Sequence, residues 1–109
     1  MAYDRNVAAR VRKALAGQRG LSQKEMFGGL AFLIRGKMCC GVVGEELMVR
    51  VGPVAYEAAL SRAHVRQMDF TGRPMKGFVY VGPAGFRSTR DLRSWTAKAA
   101  SFVNSLPAR

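Results

Sequence analysis

Two glycine-bearing turns, Arg35-Gly36-Lys37 and Gly44-Glu45-Glu46, divide the middle of this chain into three short apolar runs. In the first run Leu30, Phe32 and Ile34 alternate with Ala31 and Leu33; the second spans Met38 to Val43. In the third, Leu47, Val49 and Val51 alternate with Met48 and Arg50. Strands joined by turns this tight must be antiparallel neighbours, because a parallel partner needs a long crossover. The segment from Met26 to Val51 therefore predicts a three-stranded antiparallel meander. Just upstream, Gly28-Gly29 predicts a bulge or a close backbone approach, since glycine in a strand gives up packing for freedom.

Helical spacing takes over on either side. Val7, Ala8, Val11, Ala14 and Leu15 form one stripe between Asp4, a capping residue, and Gly17, a stop. After Gly52-Pro53, the stretch Val54–Leu60 predicts a short helix with Tyr56, Ala59 and Leu60 inward, followed by a polar stretch from Ser61 to Gln67. Met68-Asp69-Phe70 reads as a strand, Thr71-Gly72-Arg73-Pro74 as a turn, and Phe78–Val81 as a further strand. Its Phe78 and Tyr80 point one way, Val79 and Val81 the other. Ser88 with Asp91 resembles a capping box, and Leu92, Trp95, Ala99, Phe102, Val103 and Leu106 mark one face of a last helix that Pro107 ends. The order α-β(3)-α-β(2)-α predicts a two-layer α+β fold, an antiparallel sheet with helices packed on it.

A chain of 109 residues, 49% hydrophobic and 23% charged, has material for one core, so residues 1–109 are expected to form a single domain. The longest apolar run, Leu30 to Ile34, is too short to cross a bilayer, and the first residues lack the apolar stretch of a secretory signal. No membrane association and a cytoplasmic location are expected. Cys39 and Cys40 are adjacent, so they cannot staple distant segments; in a regular strand they face opposite sides, which predicts small apolar packing residues. With one histidine, no nucleophile–base pair, no phosphate loop and scattered carboxylates, the sequence predicts no enzyme, no metal, no cofactor and no small-molecule substrate.

At Met26-Phe27-Gly28-Gly29 the sequence resembles the N-terminal domain of the TfoX/Sxy family of competence regulators. The likeness continues through Gly36-Lys37-Met38, Leu47-Met48-Val49-Arg50 and Asp69-Phe70-Thr71-Gly72-Arg73-Pro74-Met75, and covers nearly the whole chain. It implies a fold similar to secretion-chaperone-like domains and a bacterial cytoplasmic regulator. Full-length relatives resemble co-activators that work with the cyclic-AMP receptor protein and carry a second, helical domain, for which residues up to Arg109 show no pattern. The resemblance supplies no catalytic residue.

Two surfaces stand out as binding candidates. Eighteen basic residues against seven acidic ones give a net charge of +11. The excess sits near both ends, so Arg5, Arg12, Lys13, Arg90, Arg93 and Lys98 are candidate contacts for nucleic-acid phosphates. Aromatic residues fall at core positions, which leaves base stacking unsupported. The second surface is the sheet. A sheet covered by helices on one side normally alternates to polar residues on the other. These strands stay apolar on both, which predicts that Ala31, Leu33, Cys39, Val43, Val79 and Val81 form a face buried by a protein partner or by a homodimer.

Overall fold

Asp4 starts the first helix. Its carboxylate accepts from the N–H groups of Asn6 (2.8 Å) and Val7 (3.1 Å), two of the donors that a helix start leaves unpaired. The computed structural model describes residues 3–26, 28–70 and 73–107, with the backbone alone at 70, 73 and 74. Helix α1 (Arg5–Ala14) buries Val7, Ala8 and Val11, and Leu15 just beyond it is buried as well, as the stripe predicts. The Asp4 N–H donates to the Gly44 carbonyl at 2.8 Å, tying the helix start to a turn of the sheet.

The sheet has six strands: β1 (Leu21–Met26), β2 (Gly29–Ile34), β3 (Lys37–Val43), β4 (Glu46–Arg50), β5 (Val65–Phe70) and β6 (Arg73–Val81). Their spatial order is β1-β2-β3-β4-β6-β5, and every neighbouring pair is antiparallel. The β2–β3 turn places both Arg35 (φ 51°) and Gly36 (φ 79°) in the left-handed region, the geometry whose twist matches a two-residue hairpin. Helices α2 (Tyr56–Leu60) and α3 (Thr89–Asn104) join α1 on one face of the sheet. The Ser88 hydroxyl accepts from the Asp91 N–H at 3.0 Å, and α3 buries Leu92, Trp95, Ala99 and Val103. The expected α+β class and element order are observed.

Strand β1 is an addition to the meander. Its four central residues, Ser22 to Glu25, are exposed, so no apolar alternation announces it; its pairing with β2 holds it. Strand β5 likewise begins at Val65, inside the stretch expected to be a polar connection. The expected close approach at Gly28-Gly29 is present. Gly28 has a φ of 72°, and a side chain on buried Gly29 would collide with the Val42 carbonyl oxygen.

One irregularity and one strand register overturn the expected assignment of faces. Phe32 pairs with Cys40, but Leu33 pairs with Met38, so Cys39 is an extra residue in β3. This bulge puts Cys39 and Cys40 together in the helix-side core with Leu30, Phe32, Ile34 and Val42, rather than on opposite faces. Met38 moves to the other face, beside Val43. On β6, Val79 pairs with Val49 and Val81 with Leu47, which places both valines under the helices. Phe78 and Tyr80 take the opposite face. Cys39, Val79 and Val81 therefore leave the candidate partner face, and all three are fully buried.

Candidate functional site

The uncovered face of the sheet begins from what β2, β3, β4 and β6 leave after their other sides are buried. Ala31, Leu33 and Val43 of the predicted face are here: Ala31 is 1% exposed, and Leu33 and Val43 are half-buried. Around them Met48, Met68 and Tyr80 form a second small core, with Met38, Val43, Met75 and Phe78 packed against it. The expected open apolar face is thus partly closed by its own side chains. Among the described residues the large hydrophobic side chain that is exposed is Val54, at 98%, beside α2. Beside this cluster the β5–β6 ladder is irregular. β6 carries additional residues opposite the step from Gln67 to Asp69, including Gly77 at a φ of 94°. The Gly77 carbonyl accepts from Val51 and Gly52 at 2.8 and 3.0 Å, holding the bend.

Arginines complete this face. The Arg50 guanidinium lies 5.3 Å from the Phe78 ring centre and 5.4 Å from that of Phe102, and donates to the Met38 carbonyl at 3.3 Å. The Arg66 guanidinium lies 4.6 Å from the Tyr80 ring centre and pairs with both carboxylate oxygens of Glu46. A cation over an aromatic face gains from the ring quadrupole while covering apolar area with its stem. Burial pushes the Tyr80 hydroxyl above its ordinary pKa, with Arg66 pulling it partly back.

The helical layer holds the basic candidates. Arg5, Arg12, Lys13, Arg90, Arg93 and Lys98 are all exposed, and of these the structure brings Lys13 and Arg93 to one groove. Arg12 leans toward the edge strand, donating to the Gln23 side chain at 3.0 Å and lying 5.8 Å from the Phe32 ring centre. Lys98 donates to Ser94 at 3.0 Å and, with Arg62 on the same ring, flanks Trp95. Lys13 and Arg93 line a groove between α1 and α3, together with Arg10. Sequence reasoning passed over Arg10, whose guanidinium donates to the carbonyls of Phe86, Arg87 and Ser88 at 2.9, 3.1 and 3.3 Å. Its signal was its position: three residues after Val7 and four before Ala14, on the border of the apolar stripe.

For chemistry, the two thiols are the groups to weigh. A hydrogen bond from Cys40 holds the Cys39 thiol below its ordinary range against the effect of burial, with help from the charge of Arg50. The same contact, with burial, pushes Cys40 well above that range. Both thiols are buried, where structural cysteines are inert. His64, in the left-handed region at φ 69°, is exposed on a turn. Among the described residues no group of three histidine, cysteine or carboxylate side chains could hold a metal ion, and no helix is long and apolar enough to cross a membrane.

The family motif is dispersed over two hairpins. Met26 ends β1 half-buried, Gly28 lies in the turn, and Gly29 starts β2 opposite Met26. Phe27 and Gly72 lie outside the described residues; Arg73 and Pro74 open β6, paired with Phe70 and Asp69. A family model described as the TfoX N-terminal domain matches residues 13–103. No curated protein and no solved structure matches the chain.

Proposed function

The chain belongs to the TfoX N-terminal domain family, and on that premise we propose that it is a cytoplasmic regulator of transcription, of the kind that governs competence, acting by protein contact and without catalysis. The observation that supports contact through the sheet is the character of its uncovered face. It is methionine-rich, with half-buried Met38, Met75 and Phe78 around Met48 and Met68. Methionine is unbranched and polarizable, and a surface built on it can repack against a partner. Arg50 and Arg66 sit at this face as cations already stacked on rings, able to hydrogen-bond across an interface. The partner in this reading is the cyclic-AMP receptor protein, with a homodimer as the simpler form of the same contact.

The test is direct binding of purified cyclic-AMP receptor protein to the chain, alongside sedimentation velocity of the chain alone. The expected result is association, or a concentration-dependent dimer, that Met38→Glu combined with Phe78→Glu removes and Arg5→Ala combined with Lys98→Ala retains. Thermal melts verify that both variants fold. A chain that stays monomeric and leaves the receptor protein unbound, or binding that only the helix-face variant removes, refutes this reading.

A second reading rests on charge. Residues 3–20 and 83–107, which contain α1 and α3, carry nine basic side chains against Asp4 and Asp91. This supports an accessory, sequence-independent attraction for nucleic acid, and it predicts retention that falls steeply with salt.

A further inference from the structure

The groove between α1 and α3 differs from the other basic hollows in gathering three cations, where the hollow beside Arg50 has two and the one beside Lys98 has one. Arg10, Lys13 and Ala14 form one wall, and Thr89, Leu92 and Arg93 the other, around a cavity of about 170 Å³. Three cations line it, and no carboxylate does among the described residues. Arg10 is fixed there by its three carbonyl acceptors and by stacking 5.7 Å from the Phe86 ring centre. Lys13 and Arg93 have no protein acceptor among the described residues. Three like charges around one hollow repel each other, and this arrangement is relieved by a bound anion.

Beyond Arg93 the groove continues into a recess of about 280 Å³ lined by Gln18, Thr96, Ala97 and Ala100. Here the walls are small and uncharged: the buried Thr96 hydroxyl donates to the Arg93 carbonyl at 3.2 Å, and the Gln18 amide oxygen accepts from Asn104 at 3.2 Å. We propose that this groove binds an organic phosphate monoester, its phosphate held among Arg10, Lys13, Arg93 and the Thr89 hydroxyl and its uncharged body lying along Ala97 toward Gln18. Two guanidinium groups and an ammonium suit a dianion with several acceptor oxygens. A nucleic-acid backbone would need cations along a track, whereas Arg12 and Lys98 turn to other sides of the layer. The site is independent of the sheet-face reading.

The experiment is an amide-resolved NMR titration of the intact chain with adenosine 5′-monophosphate, inorganic phosphate, adenosine and a short DNA duplex. The expected result is saturable shifts from the monophosphate, confined to residues 10–18 and 89–100, with inorganic phosphate moving only the cationic end. Lys13→Ala with Arg93→Ala should weaken the monophosphate by about tenfold or more, the loss of two charge-assisted contacts, while Arg5→Ala leaves it unchanged. Ala97→Leu, which fills the uncharged recess from an exposed position, should weaken the monophosphate and spare inorganic phosphate. Equal response to adenosine, shifts scattered over all basic surfaces, or a groove that responds only to the duplex overturns the proposal.

Discussion

Replacing Gly41 by alanine tests whether the sheet is packed as tightly as its uncovered face implies. Gly41 lies on β3 opposite Ala31 of β2 and Met48 of β4. A Cβ built there stands 2.6 Å from the Leu30 carbonyl oxygen, 3.0 Å from the Met48 methyl and 3.2 Å from the Ala31 Cα. The methyl can swing away. The other two atoms belong to the backbone of β2, held between β1 and β3, so they yield only if the ladder opens. Overpacking of this kind costs about 1 to 3 kcal/mol. Alanine also restricts the unfolded chain, which returns about 0.4 to 1 kcal/mol. The net expectation is a destabilisation of about 1 to 2 kcal/mol. At about 2.1 cal/mol/K of unfolding entropy per residue, a chain of 109 residues then loses about 4 to 9 °C in Tm. Gly17→Ala is the matched control: its Cβ meets nothing within 4 Å, and its backbone is not left-handed. That variant should be unchanged or gain up to about 1 kcal/mol. Calorimetry and urea unfolding of both variants decide the matter. A Gly41→Ala protein as stable as the wild type would refute the packing argument.

Other consequences follow from single contacts. Asp4→Ala removes the cap on Asn6 and Val7 and should cost about 1 kcal/mol, read from the urea midpoint at constant slope. Trp95 is 1% exposed and donates to the Gly85 carbonyl at 3.3 Å, so Trp95→Ala should cost about 3 to 5 kcal/mol by equilibrium unfolding. The folded pKa of Tyr80 is raised, mainly by burial. The stability this provides is complete below the ordinary tyrosine value of about 10 and is lost as pH rises through the folded value. Wild-type stability should therefore fall more steeply than that of Tyr80→Phe above about pH 10, measured by urea unfolding at a series of pH values.

Much of the fold is written in local chemistry. The stripe from Val7 to Leu15, the caps at Asp4 and Ser88 and the glycines of the two hairpin turns each act over a few residues, and each element forms where they indicate. The polar strand Leu21–Met26 was not legible, because an edge strand is held by its neighbour's hydrogen bonds and needs no apolar face of its own.

The amino-acid order alone determined the class of fold, the sequence of its elements apart from strand β1, and the concentration of positive charge in the helical layer. Tertiary structure alone decided which side of each strand meets the helices. Alternation repeats every two residues, so one inserted residue at Cys39 exchanges the two sides for Met38 and everything before it in the strand. Where both sides are apolar, as with Val79 and Tyr80, composition offers no preference, and pairing with β4 makes the choice. The arginines follow the same logic. Arg10, Arg50 and Arg66 resemble any other surface cation in the sequence, and their carbonyl, ring and carboxylate partners come from segments that only the folded chain brings near.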